Sequence, residues 1–314
     1  MKIDFQKKKI QIPKFLKTKS EDNRIKFVLS RKVKKWKIGT ATVSRNPSGQ
    51  YFISFIIHTN EQPKKIIDDV KISVSNSLGF DFGLKHFLTL SDGRTIDSPE
   101  FFKHTLGKLA KEQRKLSKKQ KGSKNKEKQR IKVARVHQKI TDQRNDFLHK
   151  LSTSIVKESQ FDCFCFEDLN LKGMQKLWGR KVSDLSYCAF QQMMLYKAAK
   201  NGKKTIKIGR FEPSSQLCSK CGHRQKMTLD KRTYVCSECG ITIDRDLNAA
   251  INIRDFSVFR VIRKDLTNTD GRSGINAFGD GSAGKHDASC ACETTVDELG
   301  KFSGLKSENG NHLQ

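Results

Sequence analysis

The sequence predicts an α/β fold, and three features of its patterning predict it. Short apolar runs rich in aromatic and β-branched residues recur at 78–82, 87–90, 161–166 and 205–208, the length and composition of strands. Between them lie stretches of helical period, the longest carrying Val133, Val136, Ile140, Phe147, Leu148, Leu151 and Ile155 on one stripe. Acidic residues mark these elements: Asp81 inside the first run, Glu167 and Asp168 after the third, and Asp244 and Asp246 before a final helix. Open α/β sheets put their chemistry at strand ends.

Charge narrows the partners. The 314-residue chain holds 62 Lys and Arg against 33 Asp and Glu, a formal charge of +29, so a polyanion is expected and nucleic acid comes first. The excess is uneven: residues 1–76 carry 18 basic and 6 acidic residues, residues 103–150 carry 17 and 4, and residues 257–314 carry 7 and 8. A membrane partner is excluded as an expectation, because the apolar runs are only a few residues long and the N-terminus lacks the apolar stretch of a secretory signal. The expected compartment is the cytoplasm.

In chain order, residues 37–44 and 50–58 read as a hairpin around the turn cluster at 45–49. The run at 78–84 reads as a strand with Asp81 in its middle, followed by a hairpin at 87–96. A carboxylate inside an apolar strand is costly to bury without a partner. Residues 103–160 read as a basic helical hairpin with its tip near Gly122. The run at 161–166 reads as a buried strand, with Cys163 and Cys165 as core residues, and Cys188 is read likewise. Residues 189–201 read as a helix stopped by Gly202, and 205–208 as another strand. Beyond about 256 the period fades and the Gly/Ser/Asp content predicts disorder. Cys290 and Cys292 form no recognisable site there.

The strongest motif is Cys218-x2-Cys221, fourteen intervening residues, then Cys236-x2-Cys239. This spacing closes four thiolates around a structural zinc ion, and a glycine after each pair lets the chain turn so that two sulfurs reach one metal. Disulfides are disfavoured in a reducing compartment. Just past the last cysteine, Asp244 and Asp246 precede Leu247, Ala250 and Ile251, the opening of a helix with one buried face, where an aspartate also serves as an ordinary cap. Carboxylates at 81, 167 and 246, brought together from separate elements, would hold two Mg2+ ions about 3.5–4 Å apart for phosphodiester hydrolysis.

Four stretches, GFDFGLKHF, FEDLNLKGM, FEPSSQLCSKCG and CSECGITIDRDLNAAINI, resemble in this order the TnpB (OrfB) proteins of insertion sequences, transposon-encoded relatives of compact type V CRISPR nucleases. The resemblance spans about residues 8–256. It implies an RNase H-like RuvC domain with a mixed sheet, whose acids are Asp81, Glu167 and Asp246, selecting Glu167 over Asp168 and Asp246 over Asp244. It also implies an inserted zinc ribbon held by Cys218, Cys221, Cys236 and Cys239, catalytic Mg2+ or Mn2+ at the three acids, DNA as substrate and a guide RNA as partner.

The domain organisation expected is a basic β-rich wedge-like segment at 1–76, a nuclease core at 77–208 with the helical hairpin at 103–160, the ribbon at 209–241, the last motif and helix at 242–256, and a disordered tail at 257–314. The resemblance begins at the later wedge strands, so the recognition region ahead of them is expected to be missing. Two functions follow: a metal-dependent, RNA-guided DNA endonuclease of the transposase type, or a nucleic-acid-binding transposition accessory that does not cut.

Overall fold

The computed structural model of the chain describes residues 2–11, 24–29, 37–58, 71–228 and 230–269. Parts of the wedge-like segment (12–23, 30–36 and 59–70) and the tail from 270 onward, including Cys290 and Cys292, lie outside the described residues. The chain divides into two compact units, Met1–Pro63 with Glu112–Arg135, and Lys64–Lys111 with Val136–Gln314.

In the first unit, β1 (Lys2–Asp4), β2 (Lys9–Gln11) and β3 (Ile25–Lys26) form an antiparallel sheet, and β4 (Lys37–Arg45) pairs with β5 (Tyr51–His58) as a hairpin. The turn expected at 45–49 closes it: the Asn46 side chain accepts from the Gln50 backbone at 2.8 Å, and Gly49 takes φ +90°, a conformation that glycine adopts without steric cost. Phe5 packs edge-on against Phe27 and Phe55, at centroid separations of 6.2 and 6.4 Å, joining the two sheets.

The second unit is built on a mixed five-stranded sheet. Its strands are β6 (Ser77–Asp81), β7 (His86–Leu90), β8 (Thr95–Asp97), β9 (Cys163–Glu167) and β10 (Lys204–Ile208), in the order β10-β9-β6-β7-β8. β6, β9 and β10 run parallel; β7 and β8 continue from β6 as an antiparallel meander. A three-strand meander extended from its first strand by two parallel strands is the RNase H-like arrangement. The helices of the chain are α1 (Phe101–Ser117), α2 (Lys124–Glu158), α3 (Leu171–Trp178), α4 (Arg180–Leu185), α5 (Tyr187–Lys200) and α6 (Arg245–Thr269), of which the end of α1 and the start of α2 belong to the first unit. Among the described residues no helix is long and apolar enough to cross a membrane.

Alternation along the central strands separates two faces. Leu78 and Phe80 of β6 and Phe164 and Phe166 of β9 enter one core with Tyr187, Phe190 and Met194 of α5. The Phe80 and Phe166 rings stack at 4.8 Å and 9°. Cys163 and Cys165 turn to the other face and pack with Ile208 and with Ile253 of α6, so both are core residues as expected. The same period puts Gly79 and Asp81, and Cys165 and Glu167, on the α6 face.

Two expectations change. Asp81 ends β6 instead of sitting mid-strand, because Phe82 and Gly83 leave the ladder. The final helix does not stop at 256: it continues to Thr269, because the face carrying Ile253 goes on through Ser257 and Val258, both buried, and this packing outweighs the falling helical period.

Contact between sheet and helix is closest at Gly79. A methyl carbon there would stand 2.2 Å from the Ala250 carbonyl oxygen and 2.8 Å from the Arg254 nitrogen. Gly79→Ala is therefore expected to destabilise the second unit by at least the ~1–3 kcal/mol typical of overpacking, read as a lower urea midpoint. An unchanged midpoint would mean that the strand and helix do not touch there.

Candidate active site and metal centre

Register delivers the first two acids. Phe80 pairs with Phe166 across the parallel β6–β9 ladder, so the next residue on each strand, Asp81 and Glu167, lies side by side with the other at the C-terminal edge and on the α6 face. Asp246 arrives from above, in the first turn of α6. Its ordinary alternative role, capping, belongs to a neighbour: the Asp244 carboxylate accepts from the backbone N–H groups of Asp246 and Leu247 at 2.9 and 3.0 Å. Asp246 is thereby not the cap of its helix.

The electrostatics of the three acids are unequal. Burial, then the charges of Asp246 and Glu167, push Asp81 up from its ordinary 3.8 to about 8, and Arg245 offsets only part of this. Burial, helped by Asp168, pushes Glu167 up to about 7. Among the described residues neither carboxylate has a hydrogen-bond donor or ion-pair partner; Gln191 reaches only the Glu167 backbone carbonyl, at 3.4 Å. Asp246 does have partners, Arg245 at 3.0 Å and Arg232 at 3.7 Å. Asp168 is held by Arg210 at 2.9 Å, which distinguishes it from Glu167.

Two supports carried no signal in the sequence. The hydroxyl of Tyr187, the buried first residue of α5, donates to the Gly83 carbonyl just past Asp81. A methyl at Gly83 would stand 2.9 Å from the His86 carbonyl oxygen and 3.9 Å from Asp246 Oδ2. Gly83 thus lets the chain pass close to the His86 carbonyl just below Asp246, and Tyr187 pins it.

The cysteines converge more tightly. Cys218, Cys221, Cys236 and Cys239 are the one set among the described residues with at least three metal-binding side chains whose ligand atoms all lie within 4.8 Å; the three acids do not meet that closely. Sulfur separations are 3.6 Å for Cys218–Cys239 and for Cys221–Cys236, far longer than a disulfide and near the ~3.8 Å edge of a tetrahedron with 2.3 Å Zn–S bonds. Both knuckles repeat one pattern: Gly222 N–H donates to the Cys218 carbonyl and Gly240 N–H to that of Cys236, with φ +75° and +65°. Backbone N–H groups, first that of Cys239, draw the Cys236 thiol down to about 6, favouring the thiolate. This donor set fits a tetrahedral soft-ligand metal.

β11 (Thr233–Val235) and β12 (Thr242–Asp244) complete the ribbon, and two asparagines bind it to α6. Asn248, fully buried, accepts from Ser219 N–H at 2.9 Å and donates to the Leu217 carbonyl at 2.7 Å. One turn on, Asn252 donates to the carbonyls of Ser214 and Leu217 at 2.7 and 2.8 Å. An i, i+4 asparagine pair inside an apolar helix was the available sign of such a polar clamp.

Comparison with known proteins follows the same outline. The OrfB family of IS605 type, described as "Probable transposase", matches residues 61–177, and the "Cas12f1-like, TNB domain" family matches residues 187–253. The chain belongs to the TnpB/OrfB family. A "Putative RNA-guided DNA endonuclease" of Streptomyces pristinaespiralis is 41% identical to this TnpB/OrfB chain over 217 residues, 68% of the chain and 52% of the relative. Its namesake InsQ of Escherichia coli (strain K12) is 29% identical over 234 residues, 69% and 56% of the two. A cryo-EM structure of a Cas12f1–sgRNA–target DNA complex aligns at TM-score 0.44 and 18% identity, over 68% of this chain and 55% of that one. The chain spans about half the length of the curated relatives it matches.

Cys218→Ser is expected to lower bound metal from roughly one ion per chain to a small fraction and to unfold the ribbon, checked by elemental analysis and limited proteolysis; full metal content would remove Cys218 from the ligand set. A second outcome concerns pH. An acid whose folded pKa is raised holds a proton that the unfolded chain releases, so its contribution to stability is complete below 3.8 and is lost as pH rises towards about 8. In buffer without Mg2+ or Mn2+, Asp81→Asn should therefore raise Tm relative to the parent more at pH 8 than at pH 4.5. Equal differences at both would contradict the burial of Asp81.

Proposed function

We propose that this chain is a DNA endonuclease, guided by RNA, that hydrolyses phosphodiesters at Asp81, Glu167 and Asp246. The observation that carries the reading is the pair of half-buried carboxylates, Asp81 and Glu167, side by side at adjacent strand ends, with no hydrogen-bond donor or ion-pair partner among the described residues and a third acid, Asp246, acting on Asp81. Burying such charges is costly unless something compensates them, and a hard divalent cation with oxygen ligands suits the donor set. Bound there, Mg2+ or Mn2+ would activate a water and stabilise the leaving oxygen of the scissile phosphate.

The chain's own residues do the rest. Asp244 caps α6 and Gly79 fixes its approach, so Asp246 stands over the strand ends. Tyr187 holds the turn at Gly83 that follows Asp81. Arg245 and Arg232, now on Asp246, supply positive charge beside the position a phosphate would take. Zinc in the four-thiolate cluster would be structural, since all four positions of a tetrahedron are taken by protein. The basic excess suits DNA and RNA partners, and the names of the relatives support the guided activity.

The test is cutting of DNA by the purified chain, with the RNA that accompanies it from its host, in the presence and absence of Mg2+. Asp81→Ala and Glu167→Ala are each expected to lose the several kcal/mol that metal ions contribute to the transition state, on the order of 10³-fold in rate. Cutting at the parental rate by both variants, or tight binding without cutting by the parent under any divalent metal, would overturn the reading.

A further inference from the structure

Phe211 is the most exposed aromatic side chain among the described residues, at 93% against 61% for Tyr51 and 60% for Phe259. It lies three residues past Ile208, the end of β10, which pairs with Glu167. Both flanks of this exposed ring are tied down. On one side, Arg210 donates to Asp168, from Nη2 to the carboxylate at 2.9 Å and from Nε to the carbonyl at 3.3 Å, and Asp168 directly follows Glu167. On the other side, Glu212 N–H donates to the Gly209 carbonyl at 3.3 Å and Ser214 N–H to that of Glu212 at 2.8 Å. Ser214 in turn is clamped by Asn252 of α6. The turn that presents Phe211 is thus anchored at one end beside Glu167 and at the other to the helix that carries Asp246.

Folding gains nothing from a phenyl ring left in water, and an apolar protein partner would want apolar neighbours around it. The adjoining residues are Arg210 and Glu212, both exposed. We propose that Phe211 is a stacking platform for an unpaired nucleobase of the strand that crosses the three acids; this deepens, and rests on, the nuclease reading of the site. Inside a duplex both faces of a base are covered by neighbouring pairs, whereas an unpaired base leaves its faces open to an aromatic ring. Aromatic stacking of this kind tolerates any base, so Phe211 positions the strand without choosing its sequence, while the chain's basic excess holds the phosphates.

The experiment uses the full chain carrying Asp81→Asn, expected from the nuclease reading to bind without cutting, and single-stranded DNA with the fluorescent base 2-aminopurine placed at each position in turn. With Phe211 present, and with Phe211→Trp, fluorescence should be quenched at one position. Phe211→Leu and Phe211→Ala should lose that quenching and bind the oligonucleotide about tenfold more weakly, with metal content and Tm unchanged because the ring makes no internal packing. Equal quenching in Phe211→Leu, or no position quenched in the parent, would overturn the platform. Cutting by the chain with Asp81 restored is measured separately: its loss in Asp81→Ala upholds the nuclease reading whatever Phe211 does.

Discussion

Where β6 crosses α6 the strand offers no side chain, and the two backbones meet at a distance that a single methyl group would abolish. Everything at the candidate site depends on that crossing. The strand ends two residues past Gly79 at Asp81, and the helix begins five residues before Ala250 at Arg245, so one contact brings an acid of the sheet near an acid of the helix. The parallel ladder to β9 then adds Glu167 with no further constraint, because neighbouring strands in register end together.

The ribbon is part of the same device. Asn248 and Asn252 project from α6 into the ribbon's opening loop, and their amides replace the backbone partners that this loop lacks. A segment this small has little core of its own, with Tyr234, Cys218 and Cys236 as its buried centre, so metal binding and folding are linked. Order in the ribbon is therefore transmitted to the first turn of α6. Arg232 lies within the ribbon and reaches Asp246 at 3.7 Å, a direct electrostatic consequence of the same coupling.

Much of this was legible because it rests on local pattern. Two-residue alternation revealed the strands, the Cys-x2-Cys pairs revealed the four-sulfur cluster, and the turn at Asn46 to Gly49 revealed a hairpin. The acids were placed as candidates by their position next to apolar runs. What stayed hidden depends on contacts distant in sequence. Nothing near Tyr187 announces a bond to a carbonyl 104 residues away. Nothing in LGFDF says that its glycine is the point where a helix presses on the strand. The division of labour between Asp244 and Asp246 is set by which side chain folds back onto the helix start, which spacing does not disclose; only the family resemblance selected Asp246. The extension of α6 to Thr269 was missed for a related reason: burial of Ser257 and Val258 decides it, and the sequence beyond 256 is too polar to show a face.

Asp81, Glu167 and Asp246 are proposed to grip shared divalent cations. Anomalous diffraction from crystals grown in Mn2+ tests it most directly. Manganese peaks bounded by oxygens of all three carboxylates are expected, with Arg245 moved off the coordinating oxygen of Asp246. Manganese at other sites only, with these three carboxylates left without an ion at saturating concentration, would contradict it.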